Sequence, residues 1–407
     1  MPVFRALALL VFLTGFSIAG NRAEAAASPL VESNAAFACD LYQAVRQREG
    51  NLLFSPYSIS VALAMVRVGA AGETASQMDT VLHLPGASVA QGHRDLARRL
   101  EPPLASEAEP TEAQRISAYE LNIANALWGQ EGLPFRERFL AVLRNDYGAP
   151  LARVDFRKSG EARDRINAWV EAQTRRRITD IIPDGQPDPG ARLAVTNAIY
   201  LKAAWENPFK EGRTAEAPFT TGEGAEVTAR FMHQSETLRY TGMEDLQVLS
   251  LPYRDGRLSM VILLPRRSGG LEELEARLDP DRLASWLSGL RPVHVHAALP
   301  RFEFESSLDL TGTLAEMGMR DAFHRERADF SEMTEVPLFI SLVRHKAFVS
   351  ADEAGAEAAT AAVATDTGVP SEPAVEFQAH HPFLFLIQHR DTGALLFLGR
   401  FADPKGS

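Results

Sequence analysis

The spacing of hydrophobic positions changes along this chain and predicts mainly helices in its first half and mainly strands in its second. Apolar residues recur every three to four positions, as in amphipathic helices, over residues 30–50, 58–68, 75–82, 89–100, 135–145, 160–176 and 310–317. Unbroken or alternating apolar runs, as in strands, occupy residues 51–54, 121–128, 193–202, 246–253, 258–265, 293–305, 382–389 and 394–401. Helices followed by mostly antiparallel strands indicate an α+β fold.

Two pairs of these strand-like runs are joined by short turn sequences. Arg254-Asp-Gly-Arg separates the runs at 246–253 and 258–265, and Asp391-Thr-Gly separates the last two runs. Glycine close to aspartate in a short connection is typical of a tight hairpin. We therefore expect two antiparallel hairpins. Because no clean linker interrupts the pattern, a single domain is predicted over residues 28–404.

One long stretch, from Val349 to Val375, lacks this periodicity. It consists mostly of small residues and contains no lysine or arginine. Strand-like runs flank it on both sides, at residues 339–349 and 382–387. Compact domains rarely contain a structureless connection of more than about 12–15 residues unless it is functional or disordered. We interpret the stretch as an exposed functional loop that the rest of the chain presents.

Composition and charge exclude several classes of partner. The chain has 407 residues, is 45% hydrophobic and carries a formal net charge of −11. No stretch of the sequence forms a basic stripe, which argues against nucleic-acid binding. There is no G-x-S-x-G, phosphate-binding loop or H-E-x-x-H motif, so neither catalysis nor a cofactor is expected. The histidine pairs at 294/296 and 380/381 lack a nearby third ligand, so no metal site is predicted.

The N-terminal residues 1–25 are typical of an export signal. Arg5 precedes an apolar run over residues 6–19, and Ala23-Glu-Ala offers a small-x-small cleavage site. The alternative is a buried first helix. No other segment approaches the 18 consecutive apolar residues of a membrane span. We therefore expect an exported protein, extracellular or periplasmic, whose single cysteine, Cys39, packs in the core rather than forming a disulfide.

Five stretches resemble known sequence motifs, and they occur in register over roughly residues 30–404. They are Asn51-Leu-Leu-Phe-Ser-Pro-Tyr-Ser-Ile-Ser through Gly69-Ala-Ala-Gly-Glu-Thr; Thr196-Asn-Ala-Ile-Tyr-Leu-Lys-Ala-Ala-Trp; Leu299-Pro-Arg-Phe; Glu353-Ala-Gly-Ala-Glu-Ala-Ala-Thr-Ala-Ala; and Phe377-Gln-Ala-His-His-Pro-Phe-Leu-Phe-Leu-Ile with Leu396-Phe-Leu-Gly-Arg-Phe. Together they resemble the serpin family of serine protease inhibitors. The resemblance implies about three β-sheets, eight to nine α-helices and an exposed reactive loop at about residues 353–376.

The resemblance also implies a mechanism, suicide trapping. A serine protease cleaves the loop and is acylated, and the cut loop then inserts as a new strand into the large sheet. The protease is carried along and distorted before it can deacylate. The partner would be a serine protease in a covalent complex, and the inhibitor would act as a monomer.

The loop itself has the alternation that insertion requires. With a period of two residues, one face carries only small, uncharged side chains: Ala356, Ala358, Thr360, Ala362 and Ala364. The opposite face carries Glu357, which we expect to stay in water, and Gly355 supplies a flexible pivot. Asp366 is expected at the solvated end of the strand or outside it. Alanine runs also favour helix, so a helical or disordered loop is the alternative.

The position of the cleaved bond differs between two ways of counting. The family's spacing forward from Glu353 gives Val369 as the specificity residue, and the spacing back from Phe377 gives Ser371. Pro370 follows Val369, and proline after the cut is poorly tolerated by most serine proteases. Cleavage is therefore assigned to the region Thr367, Gly368, Val369, Pro370 and Ser371. No lysine or arginine lies between Ala347 and His389, which favours an elastase-like or subtilisin-like target over a trypsin-like one.

The resemblance also assigns roles to residues outside the loop. A polar cluster that controls sheet opening maps onto Ser55, Ser58, Asn197 and His345. The loop-entry region maps onto Trp205, Arg301 and Glu353, with an Arg301–Glu353 pair. Taken singly, each of these has a structural alternative, such as a core histidine or an ordinary surface pair worth less than about 1 kcal/mol.

Other functions within the same resemblance remain open. The region from Pro85 to Glu112, where some relatives bind sulfated polysaccharide, is acidic at its end, which argues against heparin-like activation. A non-inhibitory serpin-like protein with a binding or chaperone role is one alternative. Cross-class inhibition of cysteine proteases is another. The small inserting face favours inhibition, because bulky or charged residues there would block insertion.

Overall fold

The computed structural model describes residues 28–86, 89–101, 119–254, 256–355 and 374–406. The segment interpreted as an export signal, residues 1–25, lies outside them. So do the loop positions Ala356, Ala358, Thr360 and Ala362 and the cleavage region from Thr367 to Ser371. The hinge residues Glu353 and Gly355, the polar cluster and the loop-entry region are included.

The described part of the chain contains nine α-helices: α1 (Pro29–Val45), α2 (Pro56–Arg67), α3 (Gly72–Val81), α4 (Val89–Leu100), α5 (Glu137–Asp146), α6 (Ser159–Gln173), α7 (Leu271–Ala276), α8 (Pro280–Ser288) and α9 (Thr311–Glu316). Their starts follow local chemistry. The Ser55 hydroxyl accepts a hydrogen bond from the Ser58 amide, and proline occupies the first turn of α2. Asp279 caps α8 in the same way.

Fourteen strands occur in the described residues: β1 (Leu52–Phe54), β2 (Tyr119–Gln130), β3 (Ala152–Val154), β4 (Leu193–Ala203), β5 (Ala215–Thr220), β6 (Glu226–Gly242), β7 (Leu246–Pro252), β8 (Leu258–Pro265), β9 (Arg291–Pro300), β10 (Phe302–Asp309), β11 (Ile340–Ala351), β12 (Val375–Gln378), β13 (Phe383–His389) and β14 (Leu395–Phe401). They form a five-stranded sheet in the order β10-β11-β4-β2-β3 and a nine-stranded sheet. The nine-stranded sheet follows the order β1-β14-β13-β8-β7-β6-β9-β12, with β5 paired to β6.

The α+β class and both hairpins are confirmed, because β7 pairs with β8 and β13 with β14 in antiparallel fashion. Two expectations were wrong in detail. The predicted strand over residues 293–305 is two strands, β9 and β10, which separate at Arg301 and enter different sheets. Of the three sheets expected, the second and third form one continuous sheet. The long strand β6, of 17 residues, joins them, because it pairs with β5 and β9 along most of its length and with β7 at its end.

The core lies on both faces of the five-stranded sheet. On β4, the odd-numbered residues Val195 and Ile199 pack into the large clusters that contain α2 and the nine-stranded sheet. Ala194 and Ala198 on the other face pack against α6. The central strands are thus covered on both sides, as the nearly unbroken apolar run of β4 predicts. None of the described helices is long and apolar enough to cross a membrane.

Candidate functional site

The centre of the five-stranded sheet contains one unusual seam. β11 pairs directly with β4 in parallel, from Ile340 opposite Leu193 to Phe348 opposite Tyr200. The outer neighbours of these strands, β10 and β2, are both antiparallel to them. No strand lies between β4 and β11 along this register. A strand inserted there, antiparallel to both, would replace one parallel ladder with two antiparallel ladders, which are slightly more stable per residue.

A row of polar side chains crosses this seam at its middle. His345 on β11 lies opposite Asn197 on β4, and Asn197 lies opposite Asn125 on β2. All three side chains are buried. The Asn197 amide donates to Asn125 Oδ1, and Asn197 Oδ1 is hydrogen-bonded to His345 Nδ1. A polar row in a core needs such internal partners, because each unpaired group costs about 1–3 kcal/mol.

Residues at the start of α2 are hydrogen-bonded to this row. The backbone amide of Ser55 donates to His345 Nε2 at 3.1 Å. The Ser58 hydroxyl donates to Asn125 Oδ1 at 3.4 Å and accepts from the Asn197 amide. The four residues assigned to sheet opening, Ser55, Ser58, Asn197 and His345, are thus brought together in one network, and α2 is bonded to both sides of the seam.

These contacts indicate the protonation state and tautomer of His345. Because Nε2 accepts from an amide and Nδ1 faces a carbonyl oxygen, the ring is neutral with its proton on Nδ1. Burial lowers the pKa of His345 to about 3, against the opposing effect of the hydrogen bond with Asn197. The imidazole therefore stays neutral throughout the physiological range and acts as a bridge between β11, β4 and α2.

Sequence reasoning missed Asn125 as a member of this network. Its only signal is an amide side chain inside an otherwise apolar run, Ile123-Ala-Asn-Ala-Leu. That position is informative only once the register of β2 against β4 is known. Asn125 also donates to the Ser58 carbonyl at 3.3 Å, so it ties β2 to α2.

The chain reverses direction just beyond β11. Asp352 and Gly355 exchange two backbone hydrogen bonds, each 3.3 Å long, and Gly355 then forms an antiparallel bridge with Ala204, the residue after β4. Gly355 has φ +108°, and a Cβ there would lie 2.3 Å from the carbonyl oxygen of Ala203. Only glycine fits this conformation and this space. The predicted pivot is therefore a tight, specifically glycine turn in this state.

Trp205 holds the hinge on its inner side. Its ring is buried and stacks on Tyr253 with centroids 4.5 Å apart. Its indole N–H donates to the Asp352 carbonyl at 2.8 Å, and its backbone amide donates to the Ala354 carbonyl at 3.0 Å. The sequence-predicted Trp205 thus contacts the loop entry directly, through the backbone of the turn rather than through its side chains.

Glu353 provides the ionic part of the same hinge. The residue is 7% exposed, and its carboxylate accepts from the Thr214 hydroxyl at 2.8 Å and lies 3.6 Å from Arg301 and 3.9 Å from Arg230. Burial alone would raise the pKa of Glu353, but the Thr214 hydrogen bond and the two arginines outweigh it and lower the pKa. The expected Arg301–Glu353 pair is present, whereas Thr214 and Arg230 were not anticipated because they belong to the distant segment around β5 and β6.

The described residues contain no group of three histidine, cysteine, aspartate or glutamate side chains arranged to bind a metal ion. The only cysteine, Cys39, is buried, and burial raises the pKa of its thiol to about 12. The site is therefore built from a parallel seam, a polar row and a hinge.

Comparison with known proteins agrees with this geometry. Residues 32–404 match the family described as Serpin (serine protease inhibitor). The chain belongs to the serpin family. Serpins are protease inhibitors rather than catalysts, and the chain is similar over 389 residues to the leukocyte elastase inhibitor of Equus caballus, at 39% identity and with 92% of this chain and 99% of that protein covered. Serpin B3 of Homo sapiens is 38% identical with the same coverage.

Solved serpin structures have the same fold. Uncleaved ovalbumin superimposes with a TM-score of 0.81 and 28% identity, over 92% of this chain and 100% of that one. Serpin48 of the insect Tenebrio molitor, described as a highly specific serpin, gives a TM-score of 0.80 at 28% identity, over 92% and 98% of the two chains. The serpin fold expected from the sequence is thus confirmed.

Proposed function

We propose that this serpin inhibits serine proteases by suicide trapping: cleavage of the loop, acylation of the protease and insertion of residues 356–365 between β4 and β11. The observation that carries the proposal is the antiparallel bridge between Gly355 and Ala204 at the top of the seam. The chain leaves β11, turns at the hinge and already points back along β4. A cut loop needs only to continue this pairing as β4 and β11 separate.

The bridge predicts the register of the inserted strand. Because Gly355 faces Ala204 and the two strands would be antiparallel, each step forward along the loop corresponds to one step back along β4. Ala356 would then face Ala203, and Ala362 would face Asn197 in the polar row. Asp366 would face Leu193, the first residue of β4. Asp366 would thus lie at the end of the strand, but Leu193 is fully buried, so we expect the inserted strand to end at residue 365 and to leave the Asp366 carboxylate outside it.

The same register predicts which layer each loop face meets. The small face, with Ala358 and Thr360, would lie beside Leu201 and Ile199, on the side of the large core. Glu357 would lie opposite Lys202, which is half-buried, so a charge of opposite sign would accompany it. Below that level the second face is covered by α6 rather than by water, and the alanines at 359 and 361 fit this packing.

The composition of the cleavage region and the relatives support an elastase-like or subtilisin-like target. The stretch from Thr367 to Ser371 offers small and medium side chains and no cation. Several similar proteins are named leukocyte elastase inhibitors, in Equus caballus and Homo sapiens among others. The complex would contain one inhibitor and one protease, joined by an ester to the protease serine.

Incubation with pancreatic elastase and with subtilisin, followed by denaturing electrophoresis, tests the proposal. A band at the summed mass that survives boiling in detergent supports trapping. Clean cleavage without such a band, and without a rise in the thermal unfolding temperature of the cleaved product, overturns it and leaves a substrate-like, non-inhibitory serpin. The same assay with papain tests cross-class inhibition.

The variant Ala358→Arg tests the assignment of the inserting face. Arginine would have to be buried opposite Leu201, so insertion should slow and most of the inhibitor should be cleaved without trapping. Glu357→Gln is the matched control, because it changes the neighbouring residue on the half-exposed face and should keep the covalent complex. If Ala358→Arg traps protease as well as the parent does, the assignment of the faces is wrong.

Export completes the proposal. A positive start, an apolar run over residues 6–19 and Ala23-Glu-Ala support removal of residues 1–25. N-terminal sequencing of the protein recovered outside the producing cells checks this. A mature chain that starts near residue 26 agrees with export, and a chain that retains the first 25 residues inside the cells contradicts it.

A further inference from the structure

Two neighbouring histidines of β9 lie on the exposed face of the nine-stranded sheet. His294 and His296 alternate with the buried Val295, so both side chains leave the strand on the same side. Their ring centroids are 5.7 Å apart. Two imidazoles that share one tetrahedral ion, at about 2.1 Å from each nitrogen, have ring centroids on the order of 5 Å apart. The pair therefore already has nearly the spacing of two ligands of one metal ion.

Each of these histidines contacts a protein group through one ring nitrogen. Ser235 on β6 and Glu376 on β12 lie opposite His296 on its two neighbouring strands. Glu376 Oε1 is 3.3 Å from His296 Nδ1, and Ser235 Oγ is 3.1 Å from His294 Nε2. A carboxylate only accepts, so the Nδ1 of neutral His296 carries the proton and its Nε2 carries a lone pair. A Ser235 hydroxyl that accepts from Nε2 likewise leaves the lone pair of His294 on Nδ1.

The second nitrogen of each ring makes no hydrogen bond within the described part of the chain. This holds for Nδ1 of His294 and for Nε2 of His296. The division is typical of metal-binding histidines, whose other ring N–H is almost always donated to a carboxylate, a carbonyl or water. Glu376 thus matches a supporting carboxylate rather than a third ligand, in agreement with the absence of a three-ligand group from the described residues.

We propose that His294 and His296 bind one divalent transition-metal ion, with water completing its coordination. Imidazole nitrogens suit Zn²⁺, Cu²⁺ and Ni²⁺, and affinity in this series is highest for Cu²⁺. Mg²⁺ and Ca²⁺ are excluded, because they require oxygen ligands. Arg213 lines the same small cavity as His296 and Glu376, and its charge is opposite to that of Glu376. The affinity for the ion therefore comes from two nitrogen lone pairs rather than from a negative surface.

The ion would also strengthen the attachment of β12 to β9. A cation on Nε2 withdraws electron density from the ring of His296, so its Nδ1–H becomes a stronger donor to Glu376. By linkage, Glu376 raises the affinity for the ion by the same factor. β12 has only four residues, so one stronger bond matters for it. The consequence for the loop that β12 restrains rests on the proposed function, whereas metal binding does not.

Calorimetric titration of the untagged protein with ZnCl₂ tests the site. We expect one ion per chain, and at least about tenfold weaker binding in His294→Gln and in His296→Gln. His296 is exposed and His294 half-buried, so neither change threatens folding. His324→Gln, at an exposed position outside the strands, is the matched control and should bind as the parent does. Since only neutral imidazole binds metal, binding should weaken from about pH 7.5 to about pH 5.5.

The nitrogen ligands are counted by electron paramagnetic resonance with one equivalent of CuCl₂. Hyperfine structure from two imidazole nitrogens supports the pair, and a spectrum without nitrogen coupling overturns it. Absence of saturable Zn²⁺ binding by the parent overturns the site, as does equal binding by the parent and both histidine variants.

The variant Glu376→Ala tests the supporting carboxylate and should weaken Zn²⁺ binding about tenfold. Glu236→Ala is the matched control, because Glu236 lies opposite Val295 and so on the other face of the sheet. Unchanged affinity in Glu376→Ala overturns the role of Glu376 and with it the link to β12.

Hydrogen exchange of the β12 amides measures the attachment of this strand directly. Saturating Zn²⁺ should slow exchange at residues 375–378 at least about threefold in the parent and leave it unchanged in His296→Gln. Equal exchange with and without Zn²⁺ in the parent overturns the strengthening of β12. None of these measurements uses a protease, so failure to form a covalent complex would overturn the proposed function and leave the metal site standing.

Discussion

Replacing His345 by leucine is the most direct test of the polar row, because this side chain bonds β11 to both β4 and α2. The change removes two hydrogen bonds, one with Asn197 and one with the Ser55 amide. Each bond contributes about 0.5–1.5 kcal/mol, and each partner left buried and unpaired costs about 1–3 kcal/mol. Leucine fills a similar volume, so little cavity cost is added. We expect the uncleaved protein to lose about 2–4 kcal/mol of unfolding free energy.

The cleaved, inserted protein should respond less to the same change. Once β4 and β11 have separated, His345 no longer reaches Asn197, so that bond is absent with or without the histidine. Thr196→Val is the matched control, because Thr196 is the neighbour of Asn197 on β4. It removes the acceptor of the Trp128 indole N–H, 2.8 Å away on the β2 side of the seam, and β2 and β4 stay paired in both states.

Urea unfolding of the uncleaved and cleaved forms provides the measurement. His345→Leu should lower the midpoint of the uncleaved form clearly more than that of the cleaved form. Thr196→Val should lower both by similar amounts. Equal losses for His345→Leu in the two forms would refute the claim that the row locks the seam, and would leave His345 as an ordinary core residue.

The same variant should change the dependence of stability on pH. The pKa of His345 is lowered by burial from 6.5 to about 3, so below pH 6.5 the unfolded chain binds a proton that the folded chain does not. The contribution of neutral His345 to the unfolding free energy is therefore fully present above pH 6.5. It falls as the pH drops towards 3, by up to about 1.4 kcal/mol per pH unit. His345→Leu should flatten this slope between pH 6 and 4. An unchanged slope would mean that another group, such as the buried His93, dominates it.

Two further variants test the hinge and the core. Gly355→Ala places a Cβ 2.3 Å from the Ala203 carbonyl oxygen at φ +108° and should destabilise the uncleaved form by about 1–3 kcal/mol or more. Its control is Gly160→Ala, in open space on α6, which should stabilise the protein by about 0.5–1 kcal/mol. A Gly355→Ala variant as stable as the parent would contradict the hinge geometry. Arg400→Met strands the buried Glu275, 2.9 Å from Arg400, and should cost about 3–5 kcal/mol. Urea titration checks both, and adding Glu275→Gln should recover part of the Arg400 loss.

The parts of the fold that the sequence could predict are those fixed by local chemistry. The helix over residues 89–100 was expected at the bounds observed for α4, and the hairpin turn at 254–257 was expected from its Asp-Gly pair. The break at Arg301 was not predicted, because residues 293–305 were interpreted as one strand-like stretch. Their division depends on two partners far away in sequence: β6 pairs with β9 and β11 pairs with β10.

The candidate site also contains both residues that the sequence could predict and residues that it could not. Trp205, Arg301 and Glu353 could be assigned through motif resemblance, and they meet at the hinge. Asn125 could not, because an amide in an apolar strand acquires meaning only opposite Asn197. Thr214 and Arg230 approach Glu353 from β5 and β6, strands that the hydrophobic pattern did not reveal.

In the proposed mechanism, the length of the chain explains why insertion would follow cleavage. In the register proposed above, residue 366 would reach the start of β4, about 11 residues or 36 Å from Gly355. The chain beyond it is held at β12, which pairs with β9 from Val375 onwards. β12 stands at the hinge end of the molecule, since Glu376 and Arg213 line one small cavity and the next residue, Thr214, bonds to Glu353.

The nine links from residue 366 to residue 375 can therefore span at most about 32 Å even when fully extended. That is shorter than the roughly 36 Å length of the proposed strand, so we expect that an uncut loop held by β12 does not complete the insertion. Only two events remove the restraint: a cut between residues 366 and 375, or detachment of the four-residue strand β12. The predicted cleavage region, Thr367 to Ser371, falls inside that interval for either way of counting. The two-residue disagreement between the counts therefore does not affect the mechanism, because a cut at Val369 and a cut at Ser371 release the same strand.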